Sequence, residues 1–174
     1  MDFLQNELGL GPDGFSGLLR IGYRLIAAGV LAAVIGYERE TAGKAAGLRT
    51  HTLVAIGTAV FILAGIRTEM STDGLSRVIQ GIITGIGFIG AGSILKNRID
   101  GDVSGITTSA GVWVASAIGA ACGLGQVGLG VVGTVLAFLV LKVLVGADRP
   151  KSRLVHSTDL DSLIDRDPNG KQEK

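Results

Sequence analysis

The residues best equipped for chemistry fall in two short polar runs that face each other across a handful of small residues. Glu38, Arg39 and Glu40 end one apolar stretch, and Lys44, Arg49, Thr50 and His51 open the next. Carboxylates, guanidinium groups and an imidazole at the edge of apolar segments can pair with one another, hold an ion or dock a partner, because a partly desolvated charge is retained only when paired. Two readings are open. In one, these are ordinary interfacial charges and helix caps; in the other, Glu38 pairs with Arg49 and forms part of a cytoplasmic docking or ion site. His51 is expected to anchor at the interface rather than to bind a metal, since the only other histidine is His156.

A second polar group, Thr107, Thr108 and Ser109, follows Gly105, with Trp113 one turn further on. Such hydroxyls either bond back to a carbonyl of their own helix or bridge to a neighbouring one, and the Trp113 ring suits a membrane interface. No serine or cysteine nucleophile with a histidine base can be assembled, and no G-x-x-x-x-G-K phosphate cradle occurs. The chain is therefore expected to be no enzyme and to carry no cofactor. Gly85-Ile86-Gly87-Phe88-Ile89-Gly90 matches the G-x-G-x-x-G of dinucleotide-binding folds, but that motif must join a strand to a helix, with an acidic residue roughly 20 positions later. Here it lies inside an uncharged run from Val78 to Leu95, so a closely packed helix, or one broken around Gly87 to Gly92, is expected instead.

The elements that position these residues are apolar helices. Hydrophobic residues make up 47% of the 174 and charged ones 18%, below the roughly 25% charge of soluble domains, and the mean hydropathy is +0.49. Five runs approach the roughly 20 residues that span a bilayer: 18–37, 48–66, 78–95, 103–124 and 127–145. The expected fold is an all-α integral membrane protein with about five transmembrane helices, comprising a short extracytoplasmic segment 1–17, a membrane domain 18–146 and a polar cytoplasmic tail 147–174. The N-terminus lacks the basic start of a cleaved secretory signal. Net charge is +1, which gives no bias toward nucleic acid. Cys122, the single cysteine, is expected as a small packing residue.

Glycine is abundant, at 28 residues. Burial of apolar surface does not drive helices together in lipid, so small residues that let backbones approach take that role. Gly22, Gly29 and Gly36 form a stripe on the first helix, Gly81 and Gly85 on the third, and Gly111, Ala115 and Gly119 on the fourth. With Gly87, Gly90 and Gly92 they are the expected packing glycines.

Four successive motifs resemble the MgtC/SapB family: Gly36-Tyr37-Glu38-Arg39-Glu40, Ala46-Gly47-Leu48-Arg49-Thr50-His51-Thr52-Leu53-Val54-Ala55, Gly85 to Gly92, and Gly105 to Trp113. The resemblance implies an inner-membrane protein linked to growth under magnesium limitation, to stress adaptation and, in some pathogens, to survival inside host cells. It implies regulation of other membrane proteins, the proton-driven ATP synthase among them, with a transporter or channel for Mg²⁺ or another small solute as the alternative; a homo-oligomer is a further possible assembly. By position it points to Glu38, Arg39, Arg49, Thr50, Thr107, Thr108 and Trp113 as functional residues, beside Gly87, Gly90 and Gly92. Thr107 stands where some relatives carry Asn.

Short cytoplasmic loops carry an excess of Lys and Arg. With five spans, all these residues except Arg20, Arg24, Arg67 and Arg77 fall on the side of the first connection, the third connection and the C-terminus. A reporter fused after Lys174 is therefore expected to read as cytoplasmic; periplasmic activity of the fusion would overturn the five-span arrangement.

Overall fold

Lipid offers no hydrogen bonds to the backbone, and a helix satisfies its own. All five apolar runs are helical in the computed structural model, which describes residues 14–96 and 103–144. Helix α1 covers Gly14–Thr41, α2 Leu48–Arg67, α3 Thr72–Gly92, α4 Ile106–Gly123 and α5 Val127–Val143. Four are long and apolar enough to cross a membrane; α5, with 17 residues, lies at the short end of the spanning range. The expected tail 147–174 and most of segment 1–17 lie outside the described residues.

Helix boundaries follow capping rather than the edges of the charge-free runs. α3 starts at Thr72, not Val78, because the Ser71 side chain accepts the Gly74 N–H at 3.2 Å and satisfies an orphan donor of the first turn. It continues unbroken through Gly92, so of the two alternatives the break around Gly87 to Gly92 is not found. α4 starts at Ile106 rather than Val103, because Val103–Ser104 pairs antiparallel with Leu95–Lys96 in a two-stranded ladder. Gly105 then turns the chain at φ +92°, where an added Cβ would collide with the Ser93 carbonyl, so that no side chain fits. α1 and α4 both end in glycine-terminated hydrogen-bond pairs: Gly43 and Lys44 donate to Glu40 and Arg39, and Gly125 and Gln126 donate to Cys122 and Ala121.

α2 sits at the centre, packed most extensively on α1 and α4. The core between them is built from Ala28, Ala32, Ala55, Ala59 and Ala115 with Ile35 and Ile118. Small residues let these backbones touch. A Cβ on Gly36 would stand 2.8 Å from Leu48 Cα, and one on Gly119 would strike the Ala55 carbonyl and lie 2.8 Å from Ala55 Cα. Gly29 rests on Ile56, Gly123 on Ile62, Gly90 on Ser109, and Gly130 on Cys122 and Leu31.

The expected stripes are only partly used in this way. A Cβ on Gly22, Gly81, Gly85, Gly87 or Gly92 would meet nothing within 4 Å, so packing by Gly85, Gly87 and Gly92 is not found among the described residues. The reason is the position of α3, which lies at the margin of the bundle and buries only Ile86 and Gly90.

Two substitutions separate these classes. Gly119→Ala drives a methyl group into α2 backbone that cannot yield and is expected to cost about 3 kcal/mol or more. Gly85→Ala meets only open space and should be neutral, or stabilising by up to about 1 kcal/mol through helix propensity. Thermal unfolding of the two variants in mild detergent checks the contrast; equal losses would refute it.

Candidate functional site

The polar residues gather at the end of the bundle where α1 stops and α2 and α4 begin. Glu38 and Arg39 lie in the last turns of α1 and are 5% and 2% exposed. Adjacent residues on a helix diverge by about 100°, yet these long side chains bend together. Arg39 Nε donates to Glu38 Oε2 at 2.5 Å and Nη2 donates to Oε1 at 2.9 Å, a two-pronged ion pair. Pairing of this kind is what permits a carboxylate and a guanidinium to stay out of water.

Of the two open readings, pairing of Glu38 with Arg49 is not found: both Glu38 oxygens are taken by Arg39, and Arg49 is exposed on the first turn of α2. Thr50 beside it is half-buried. Glu40 has a separate task. Its Oε2 accepts the Leu48 N–H at 2.9 Å, placing a negative charge at the positive end of the α2 dipole. Gly47 makes room for it, since a Cβ there would stand 2.7 Å from that oxygen.

His51 does not face outward as an anchor would. It is fully buried, wedged between Gly36 of α1 and Gly111 of α4. Its Nδ1 lies 2.9 Å from the Gly47 carbonyl; an oxygen there can only accept, so Nδ1 carries the proton. Nε2 has no hydrogen-bond partner and faces Gly111, where a Cβ would come within 3.0 Å of it. The imidazole thus fills the three-helix junction as a packing element, with glycine on both sides making the space.

At the start of α4, Thr107 is exposed, Thr108 is buried, and Trp113 is half exposed. The bridge to α3 belongs to Ser109, which sequence reasoning grouped with the threonines but did not select. Ser109 Oγ donates to the Gly90 carbonyl at 2.6 Å and lies 2.7 Å from Ser93 Oγ, which itself donates to Gly90 at 2.8 Å. The missed signal was Gly90: a glycine opposite a serine allows a hydroxyl to reach main-chain oxygen. At the far end of the bundle Arg24 Nη1 donates to the Gly123 carbonyl at 3.2 Å, placing a cation on the negative end of α4. Mid-bundle, Thr58 and Ser116 join α2 to α4 through a 3.0 Å hydroxyl contact.

Removing one partner of a buried pair strands the other. Glu38→Gln is expected to cost about 3–5 kcal/mol, the double variant with Arg39→Gln less than the sum of the singles, and Arg49→Gln under about 0.5 kcal/mol. Detergent melting of the four proteins checks this; a loss for Arg49→Gln equal to that for Glu38→Gln would restore the Glu38–Arg49 pair.

A profile described as the MgtC family matches residues 25–149. The chain is 42% identical over 134 residues to protein SrpB of Synechococcus elongatus, covering 71% of this chain and 74% of that one. It is 44% identical over 128 residues to YhiD of Escherichia coli K12, whose name marks it as a candidate magnesium transporter, covering 69% of this chain and 58% of YhiD. It is 47% identical over 102 residues to protein MgtC of Salmonella typhimurium LT2, covering 59% of this chain and 42% of MgtC. The chain thus spans about three quarters of SrpB but little more than half of YhiD and less than half of MgtC. No solved structure matches it. From the matched profile and the extent of the likeness to SrpB, the chain belongs to the MgtC family.

Proposed function

We propose that this chain is a non-enzymatic regulator in the bacterial inner membrane, N-terminus outside and C-terminus in the cytoplasm, that serves cells at magnesium limitation by binding another membrane protein. The observation that carries the reading is a groove of about 530 Å³ between α2 and α3. Gly57, Gly81 and Gly85 line it, with nothing within 4 Å of where their Cβ atoms would be, and the exposed side chains of Leu53, Phe61 and Ile89 form its lips. A glycine-lined groove between membrane helices is a seat for a further helix at close range. Most polar groups inside the bundle are meanwhile engaged, Glu38 with Arg39, Thr58 with Ser116, and Thr134 with the Gly130 carbonyl, while His51 Nε2 and Thr52 Oγ1 are buried without a hydrogen-bond partner.

Transport of Mg²⁺ or another small solute is the second reading, favoured by the name of YhiD. A Mg²⁺ site uses one or two carboxylates with retained waters. Glu38 and Glu40 are the acids nearest the junction, and each is engaged, one by Arg39 and the other by the α2 N-terminus.

Two measurements separate the readings. The regulator predicts that purified full-length protein in proteoliposomes moves no Mg²⁺ above empty vesicles, and that Gly85→Leu, which blocks the groove, abolishes complementation in low magnesium at normal abundance. Mg²⁺ flux that is lost in Glu38→Gln would establish the transporter instead.

A further inference from the structure

On the side of α3 turned away from the bundle, Asp73, Arg77, Gln80, Thr84, Gly87 and Ala91 recur at alternating steps of four and three residues, and all are exposed. That alternation averages 3.5 residues, the repeat of a helix seam that meets a like helix in a left-handed crossing. The bundle does not use this seam: α3 buries only Ile86 and Gly90 against its neighbours. The seam is also distinct from the groove toward α2, which takes Val78, Gly81, Ile82, Gly85, Ile86 and Ile89 from α3.

Gln80 makes the seam unsuited to lipid. It lies about 4.5 Å along the helix beyond Arg77, at 1.5 Å per residue, within the first turn of the uncharged run that starts at Val78. Its backbone carbonyl accepts the Thr84 hydroxyl at 3.0 Å, but its side-chain amide has no hydrogen bond within the described chain. An amide left unpaired in hydrocarbon is strongly unfavourable, and glutamine in membrane helices meets this need by bonding across to another helix.

We propose that this seam of α3 is the contact between two copies of the chain, related by a two-fold axis along the membrane normal. The residues on it are self-complementary, as an interface of one patch with itself must be. An amide both donates and accepts, so Gln80 of each copy satisfies the other. Asp73 and Arg77, neither in an ion pair among the described residues, are opposite charges one turn apart, so the two-fold axis sets the carboxylate of one copy toward the guanidinium of the other. At Gly87 an added Cβ would meet nothing, and with Ala91 it leaves room for backbones to close. This contact is independent of the partner-binding groove on the other face.

The test uses the full chain with Cys122→Ala, reconstituted dilute in phosphatidylethanolamine and phosphatidylglycerol vesicles. Gly87→Cys in this background should oxidise to a covalent dimer, whereas Leu136→Cys, on the exposed face of α5, should not. Energy transfer between labelled copies should show association weakened about tenfold by Gln80→Leu and largely kept by Gln80→Asn, matching loss of an interhelical amide bond. Leucine is at home in lipid, so the melting temperature of the detergent-solubilised monomer should not fall in Gln80→Leu. Equal cross-linking at both cysteines, or energy transfer indifferent to Gln80→Leu, would overturn the proposal. So would Gly87→Cys that cross-links to a different protein in native membranes while the purified chain stays monomeric in vesicles.

Discussion

The fold rests on one close approach, that of α4 to the backbone of α2. Gly119 lies on the Ala55 peptide with no space for a methyl group, Gly123 lies on Ile62, and Gly111 leaves space for His51. In a bilayer, dispersion contacts and a few hydrogen bonds must replace the drive that water gives a soluble core, and such contacts fall off steeply once atoms separate. Proximity therefore sets stability directly. With α2 and α4 locked, α1 closes over them through Gly29 and Gly36, and α5 through Gly130.

The same contact decides where polar groups can sit. Bringing α2 and α4 together places Thr58 opposite Ser116, and it holds the start of α2 beside the end of α1, where Glu38 and Arg39 neutralise each other and Glu40 caps α2. The charges near the junction thus serve its geometry. The bundle leaves two faces of α3 uncovered, one a groove and the other a polar seam.

Much of this was legible in the residues. Apolar runs located all five helices, because backbone desolvation leaves few alternatives at membrane depth. Spacing located the glycines that matter on α1 and α4, since regular small residues along one helix face are hard to explain otherwise. The ends were less legible: Ser71 starts α3 within a polar stretch that hydropathy does not count. The Glu38–Arg39 pair was hidden because neighbouring helical residues do not ordinarily face each other, so the search went to a more distant cation. The burial of His51 was hidden for a related reason. A histidine near a helix start reads as interfacial until one knows that glycines on two other helices make room for it. Gly85 and Gly87 show the reverse limit, since periodicity marks a face as small without saying which neighbour covers it.

Arg24 ties the first span to the last turn of α4, a contact across 99 positions of sequence. That bond cannot form until the peptide near residue 123 has been synthesised and delivered to the same membrane surface. A guanidinium without a protein partner is best served at the headgroup region, where a long side chain reaches water. This long loop can therefore close only after α2, α3 and α4 have been made, which leaves the Arg24 end of α1 without this tie until the turn into α5 is in place.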